Sequence, residues 1–197
     1  MSDQKRKYRM KRRAELEAET RLRITESAME LHGTVGPART SISAVAERAG
    51  VRRSTVYRHF PDEAALFGAC SSHWLAQNPP PDVSAWERIA DPEERLGTAL
   101  DQLYAYYRRT GEMFERLLRD APSVPTIAAM MVPFAQLLAA VTEILLRGRG
   151  ARGRARDRQR AAIGHAVAFE TWRDLTGTQG LDDEAAADLM RRLIAAS

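Results

Sequence analysis

The stretch from Thr40 to Phe60, TSISAVAERAGVRRSTVYRHF, constrains the fold of this chain more than any other segment. It has the pattern of two short helices with a sharp turn between them. Gly50 stands at the turn, where a left-handed backbone costs least for a residue without Cβ. The positions expected to face inward, if the helices cross at a steep angle, are all apolar: Val45, Ala46, Ala49, Val51 and Val56. The pattern therefore predicts a helix, a tight turn and a second helix.

The second helix of this pair has many cations and hydroxyl groups on its expected outer side. The residues predicted to point outward are Arg52, Arg53, Ser54, Thr55, Tyr57, Arg58 and His59. Guanidinium and hydroxyl groups on a short exposed helix suit contacts with DNA phosphates and base edges. The sequence therefore indicates a DNA-reading helix, although an ordinary helical hairpin with a solvated basic face would show a similar pattern.

Two adjoining segments resemble a known family. The segment AVAERAGVRRSTVYRHFPDEAALF resembles the DNA-binding helix-turn-helix of the tetracycline-repressor (TetR) family, and the preceding ITESAMELHGTVGPARTSI resembles the family's first helix and its connector. The resemblance covers residues 24 to 67, and beyond them it rests on length and helical pattern. It implies an all-α protein, with an N-terminal three-helix helix-turn-helix DNA-binding domain and a C-terminal helical bundle for ligand binding and dimerisation.

The resemblance also implies which residues of the second helix contact DNA. The family's base and backbone contacts fall on Arg53, Ser54, Thr55, Tyr57, Arg58 and His59. The two arginines are candidates for base readout, because one guanidinium can bond both O6 and N7 of guanine. The threonine, the tyrosine and the histidine are expected to hold phosphates.

Residues just outside this helix complete the predicted DNA-binding set. The Ser41 hydroxyl is expected to cap the preceding helix, and Ser43 could donate to a phosphate. Arg52 stands where the family often has a capping serine, so a side-chain cap is lost and a cation is gained. Glu63 stands where the family usually has a lysine. An acid there suits a helix N-terminus but repels DNA, so either that contact is lost or Arg52 and Arg53 compensate for it.

Positive charge is concentrated in two segments of the chain. Residues 1–13 contain seven Lys or Arg and one acid, and residues 147–160 contain seven Arg and one acid. The remainder has 16 basic and 24 acidic residues, although the whole chain has a net charge of +4. This segregation predicts that a polyanion is met at particular places and not over the whole surface.

Each basic segment has two interpretations. Residues 1–13 are predicted to form a disordered basic arm, which either follows phosphates or the minor groove of DNA or is only a solvated tail. The Arg-Gly segment 147–160 is predicted to form a mobile loop between helices, either plainly solvated or contacting nucleic acid without sequence preference.

The three consecutive prolines of the segment Asn78-Pro-Pro-Pro-Asp82 predict a stiff connector and a domain boundary. Residues 14–77 are then the helix-turn-helix DNA-binding domain with a connecting helix, in which His32 is expected to be a packing residue. Residues 78–197 are the helical effector-binding and dimerisation domain. In that domain we expect a break after Gly111, one helix over residues 157–176, and a last helix capped by Asp182 or Asp183.

Residues 127–146 are almost long and apolar enough to span a membrane. Gln136 and Glu143 interrupt this stretch, and Pro133 lies in its first half. These features favour a buried, kinked helix of a soluble bundle, and we expect no contact with a membrane.

Cys70 is the only cysteine, so an intrachain disulfide is impossible and a reducing cytoplasm fits. The charged start of the chain lacks the apolar run of a signal peptide, which predicts a cytoplasmic location. His165 and Glu170 could suggest catalysis, but no nucleophile or metal-ligand spacing accompanies them. We therefore expect no enzymatic activity, no metal and no cofactor.

A set of aromatic and other apolar residues in the second domain could line an effector site, although a residue of this kind is more often plain core than pocket. The candidates are Tyr104, Tyr107, Phe114, Leu118, Met130, Met131, Phe134, Phe169 and Trp172. Methionine adapts to varied shapes, which favours an apolar or aromatic ligand.

These observations together predict a sequence-specific DNA-binding transcriptional regulator. By the resemblance it is a repressor that a small ligand releases from its operator, and it dimerises through its last two helices. Two recognition helices related by a two-fold axis would read a palindromic operator. A nucleoid-type protein that binds DNA without sequence preference, or a scaffold protein, is the alternative.

Overall fold

The structure is a computed structural model that describes residues 2–197, with side chains described from residue 4. Within these residues the regular structure is helical and there is no strand. Ten α-helices lie in this part of the chain: α1 (Ser2–Thr34), α2 (Ile42–Arg48), α3 (Arg53–His59), α4 (Glu63–Gln77), α5 (Val83–Glu87), α6 (Pro92–Asp120), α7 (Pro125–Leu146), α8 (Gly153–Ala166), α9 (Phe169–Arg173) and α10 (Asp183–Ala195). The predicted all-α class is confirmed.

Helix α1 is longer than the sequence pattern suggested, because it includes most of the predicted disordered arm. Residues 2–13 are the first turns of this 33-residue helix, while Met1 lies outside the described residues. Lys, Arg, Glu, Met and Leu are good helix formers, and no glycine or proline occurs before Gly33. The C-terminal half of α1 is packed, with Ile24 and Ala28 fully buried, so the exposed half extends an existing helix and needs no new nucleus.

The chain divides into two compact units. The first contains the described chain up to Pro79 together with Glu115–Thr126, and the second contains Pro80–Phe114 and Ile127–Ser197. The first boundary lies within the predicted proline connector, whose residues 78–82 are outside the helices. The placement of Glu115–Thr126 in the first unit differs from the prediction that residues 78–197 form one continuous domain. The effector and dimerisation roles assigned to residues 78–197 stay predictions.

In the first unit, α1 packs against α2 and α4, and α2 packs against α3. Helix α4 begins where the Asp62 carboxylate accepts a hydrogen bond from the Ala65 amide over 2.7 Å. Its buried residues Leu66, Phe67 and Cys70 provide the surface on which α1 lies. The short helices α2 and α3 are therefore held by a larger helical frame.

In the second unit, α6 runs without a break through Gly111, so the predicted interruption after this residue is wrong. Gly111 is buried, and a Cβ atom there would lie 3.1 Å from Cζ3 of Trp172. A glycine inside a helix costs about 1 kcal/mol relative to alanine. Here its small size lets the indole ring pack directly against the α6 backbone.

Helix α7 covers the apolar stretch and has Pro133 in its interior, as predicted. It is the one helix of the described residues that is long and apolar enough to cross a membrane, a test that the core helix of a soluble protein also passes. The prediction of a buried helix is only partly correct. Val141, Leu145 and Leu146 near its end are buried, whereas Val132 is half exposed.

Two predictions for this part of the chain differ from the structure. The Arg-Gly segment 147–160 was predicted as a loop, and residues 157–176 were predicted as one helix. Helix α8 begins at Gly153, so only residues 147–152 remain outside helices. Arginine is a good helix former, and Arg160 on α8 pairs with Glu143 of α7 over 2.6 Å. Helix α8 ends at Ala166, and α9 is followed by a π-helical turn over Asp174–Thr178.

The start of the last helix agrees with prediction. The Asp182 carboxylate accepts a hydrogen bond from the Ala185 amide over 2.8 Å, so the first of the two proposed aspartates is the cap of α10.

Candidate nucleic-acid interface

The α2–α3 pair has the predicted turn geometry. The Ser41 hydroxyl accepts a hydrogen bond from the Ala44 amide over 3.1 Å and caps α2, as predicted. Gly50 has a φ of 64°, the left-handed conformation that favours glycine, and the amide of Val51 returns to the Ala46 carbonyl over 2.9 Å. The turn therefore reverses the chain within a few residues and begins α3 at Arg53.

The inner side of the pair is apolar, as the pattern indicated. The buried residues are Val45, Ala46, Ala49 and Val56, while Val51 at the turn is half-buried. Phe60, directly after α3, is also buried. Sequestration of these residues fixes which side of α3 faces solvent.

The outer side of α3 has the predicted character. Arg52 precedes the helix without a side-chain cap, and Arg53, Ser54, Tyr57 and Arg58 are exposed. Thr55 is half-buried. Two guanidinium groups, two hydroxyl groups and a preceding cation thus share one short surface, which suits phosphate and base-edge contacts.

Arg53 and Tyr57 interact one helical turn apart. The Arg53 Nη2 donates to the Tyr57 hydroxyl over 3.3 Å, and the guanidinium carbon lies 5.6 Å from the ring centroid. This hydrogen bond raises the pKa of the fully exposed Arg53. The tyrosine therefore orients a permanently charged donor at the solvent surface.

His59 differs from its predicted outward position. It is half-buried, and its Nε2 atom is shielded from solvent with no hydrogen-bond partner among the described residues. Burial, followed by the charges of Arg58 and Arg21, lowers the pKa of its ring, so it is neutral at pH 7. A neutral ring with a buried nitrogen is a poor phosphate ligand without a side-chain movement.

Two serines and one glutamate next to the α2–α3 pair are exposed to solvent. Ser41 and Ser43 are both exposed at the start of α2, although the Ser41 hydroxyl is already used by the cap. Glu63 is exposed in the first turn of α4, where an acid stabilises the positive end of the helix dipole. The structure therefore gives Glu63 a role in its own helix.

Behind the pair lies a contact between His32 and Cys70, which supports α1 against α4. The Cys70 Sγ lies 3.3 Å from His32 Nδ1, and the His32 and Phe67 ring centroids are 5.1 Å apart. Burial lowers the pKa of His32 to about 4 and raises the pKa of the Cys70 thiol to about 11. Both groups are neutral at pH 7, so the prediction of His32 as a packing residue is confirmed.

The effector candidates of the second unit form much of an aromatic cluster. Phe114 contacts Phe134 and Phe169, with ring centroids 4.9 and 5.3 Å apart, and Tyr107 lies 6.0 Å from Trp172. Sequence reasoning missed Tyr106, which is buried and lies 6.1 Å from Phe114. Tyr106 lies three residues after buried Leu103 and eight before Phe114, so a wider apolar stripe on α6 would have included it.

Two of the candidates form hydrogen bonds that stabilise the fold of this cluster. The Tyr104 hydroxyl donates to the Ala166 carbonyl over 2.9 Å, and the Tyr107 hydroxyl donates to the Val167 carbonyl over 2.6 Å. Burial raises the pKa of both tyrosines well above the usual range. Their hydroxyls satisfy carbonyls released where α8 ends.

The other candidates vary in exposure. Met130, Met131 and Phe134 on α7 are half-buried, as is Trp172. Leu118 belongs to Glu115–Thr126 and therefore to the first unit. No group of three or more His, Cys, Asp or Glu side chains that could hold a metal ion occurs in the described part of the chain.

Comparison with known proteins agrees with this geometry. Residues 24–70 match the family model described as bacterial regulatory proteins, tetR family. A TetR-like transcriptional regulator from Rhodococcus sp. RHA1 superposes with a TM-score of 0.64 at 18% identity, over 89% of this chain and 93% of that one. No curated protein sequence matches the chain, and no enzyme family is indicated.

Two further solved structures have the same fold. NalD, the secondary repressor of the MexAB-OprM multidrug efflux pump in Pseudomonas aeruginosa, has a TM-score of 0.59 at 22% identity, over 91% of this chain and 96% of that one. The transcriptional regulator FadR from Bacillus subtilis, in complex with stearoyl-CoA, has a TM-score of 0.55 at 18% identity, over 88% and 96%. The resemblance to the TetR family is thereby confirmed: residues 24–70 match the family's model, and the chain has the fold of solved TetR-family regulators.

Proposed function

We propose that this protein is a sequence-specific transcriptional regulator that reads its DNA target with α3. The observation that carries the proposal is the exposure of Arg53, Tyr57 and Arg58 on a helix whose other side is fixed by buried Val56 and Phe60. A seven-residue helix presented in this way suits the major groove, where guanidinium groups can bond guanine edges, and this supports the proposal.

The short length of α3 supports a dimer. One such helix reads only a few base pairs, whereas two related by a two-fold axis read the matching halves of a palindromic operator. Helix α10 packs on α8 and exposes Leu189 and Leu193, which are 37% and 53% accessible in the isolated chain. These two last long helices are the proposed dimer interface.

The second unit is the proposed effector-binding part. Half-buried Met130, Met131 and Phe134 present an apolar, adaptable surface on α7 next to the aromatic cluster. FadR was solved with stearoyl-CoA, and NalD is a repressor. By analogy, this chain is a repressor that a small apolar or aromatic ligand releases from its operator, and it acts in the cytoplasm. Such a ligand lowers DNA affinity only by its differential affinity for the two states.

The deciding experiment is an in-vitro selection of random duplex DNA by the purified full-length protein. The enriched pool would be sequenced and tested again at several salt concentrations. A two-fold symmetric sequence motif is the expected result, and light scattering of the complex should show two protomers per site. The same duplex then becomes the probe for a screen of apolar and aromatic ligands that release it.

The alternative is a nucleoid-type protein that binds DNA through charge alone, supported by the seven cations of residues 1–13. Under this alternative no sequence would be enriched, while binding would persist and weaken steeply with salt. That result would overturn sequence-specific regulation and the roles assigned to Arg53 and Arg58.

A further inference from the structure

The N-terminal half of α1 extends beyond the packed part of the first unit. Every side chain from Gln4 to Glu19 is exposed, whereas burial begins at Ile24. This segment, residues 4–19 of α1, is here called the extension. It contains the cations Lys5, Arg6, Lys7, Arg9, Lys11, Arg12 and Arg13. A strongly basic helical surface is therefore presented entirely to solvent.

The base of the extension is attached to the end of the DNA-reading helix. Arg21 donates through Nη1 to the backbone carbonyl of His59, the last residue of α3. The Arg21 guanidinium also lies 4.1 Å from the ring centroid of Phe60. The face of α1 that contains Arg21 is therefore the face turned toward α3.

Helical geometry shows which cations of the extension share this face. At 3.6 residues per turn, Arg6 and Lys7 lie within about 60° of the Arg21 direction, whereas Lys5 and Arg12 lie about 160–180° away. With a rise of about 1.5 Å per residue, Arg6 and Lys7 are about 22 Å along the helix from Arg21. This distance exceeds the width of the major groove, about 12 Å, so the extension is long enough to reach the flanking backbone.

Charge repulsion within the extension also favours a polyanionic partner. Lys5 and Arg9, Lys7 and Lys11, and Arg9 and Arg13 are like-charged pairs four residues apart, each of which costs a few tenths of a kcal/mol in a helix. Cations in the first turns also oppose the helix dipole. Lys11 and Arg13 have glutamate partners at 4.0 and 3.1 Å, so part of this repulsion is already offset.

We infer that the Arg6/Lys7 face of this helical extension contacts the DNA phosphate backbone beside the base pairs read by α3. The inference rests on the proposed function, since it takes α3 to occupy the major groove. The partner of this face is duplex DNA, because DNA phosphates complement its cations and because this face of α1 is the one turned toward α3. The contact adds affinity and salt dependence but no sequence preference.

The test compares two double variants with the same loss of charge. Arg6→Gln with Lys7→Gln removes two cations from the face toward α3, and Lys5→Gln with Arg12→Gln removes two from the opposite face. Full-length proteins would be titrated onto the selected operator and a random duplex at about 0.1–0.3 M salt, where screening acts over about 10 Å or less. Circular dichroism would verify equal helix content.

The Arg6/Lys7 variant is expected to reduce the slope of log affinity against log salt by about 1.8 per bound protomer, on both duplexes alike. The Lys5/Arg12 variant should keep the wild-type slope, and Arg6→Lys with Lys7→Arg should restore it. Equal changes in both variants, or no change in either, would overturn the inference. Absence of sequence preference in the wild type would instead refute the proposed function, and the comparison on random DNA would still decide the role of the extension.

Discussion

Asp120, the last residue of α6, accepts a hydrogen bond from the backbone amide of Ala38, 82 residues earlier in the chain, over 3.0 Å. Its other carboxylate oxygen accepts from Nε of Arg119 over 2.7 Å, and only 5% of Asp120 is accessible. Arg119 in turn donates to the Val35 carbonyl over 3.1 Å. The connector between α1 and α2 is therefore tied to the end of α6 within the first unit.

Replacement of Asp120 by alanine should lower the free energy of unfolding by about 1–3 kcal/mol. The reason is that the Ala38 amide loses its acceptor in a partly buried site. Urea unfolding followed by circular dichroism measures the change. Asp101→Ala, at an exposed position of the same helix, is the control and should change stability by less than about 0.5 kcal/mol. Equal effects of the two variants would contradict a specific role for this carboxylate.

Gly36 should not tolerate a side chain. Its φ is 93°, and a Cβ atom there would lie 2.6 Å from Oδ2 of Asp120. We expect Gly36→Ala to destabilise the protein by about 1–3 kcal/mol through backbone strain and displacement of the Asp120 contact. Gly68→Ala is the matched control, because this helical glycine of α4 has open space around it. That variant should stabilise the protein by up to about 1 kcal/mol in thermal unfolding.

Stability should fall as pH decreases from about 6.5 to about 4. Burial holds the pKa of folded His32 at about 4, below its ordinary value of 6.5. The unfolded chain therefore binds a proton in this pH range while the folded chain does not, so acid favours unfolding. Protonation of His32 in the unfolded chain should lower the free energy of unfolding by about 2–3 kcal/mol across this pH range.

The His32→Phe variant isolates this effect. The folded packing against Phe67 can be kept, while the titrating group is removed. Urea midpoints between about pH 4 and pH 7 should depend less on pH in the variant than in the wild type. If both proteins show the same slope in this range, other groups dominate the acid sensitivity.

If α3 reads base pairs through its arginines, replacing them should reduce the discrimination between the operator and mutated operators. Arg53→Ala and Arg58→Ala are each expected to weaken operator binding by about 1–3 kcal/mol and to relax preference at one base pair. The measurement is competition between the operator and single-base-pair mutants. Arg88→Ala removes the same charge from the exposed end of α5 and should leave the preference intact. Equal losses on operator and random DNA for the α3 variants would show that these arginines contact only phosphates.

Local sequence patterns predicted correctly those features that depend on contacts between residues close together in the chain. The cap at Ser41, the left-handed Gly50, the uncapped start of α3 at Arg53 and the cap of α10 all follow from interactions a few residues apart. Such signals need no knowledge of distant packing. The apolar positions of α2 and α3 were equally readable, because burial in a small helix pair leaves little choice of face.

Other features could not be read from local patterns. Glycine at 111 suggested a break, but the Trp172 ring from a distant part of the sequence occupies the space that a side chain would need. The density of glycine together with arginine in residues 147–160 suggested a loop, but Arg160 pairs with Glu143 over 2.6 Å and α8 begins at Gly153. In both places a long-range contact overrides a weak local preference.

The sequence by itself determined that the protein is helical, where its DNA-reading helix begins, and which side of that helix carries guanidinium groups. Only the tertiary structure decided that the His59 ring turns inward, that the Tyr104 and Tyr107 hydroxyls donate to carbonyls at the end of α8 and directly after it, and that Asp120 holds the connector before α2. The physical reason is sequence separation. Helical period, caps and turns act over a few residues, whereas burial, pKa shifts and long-range hydrogen bonds depend on which distant residues the fold brings together.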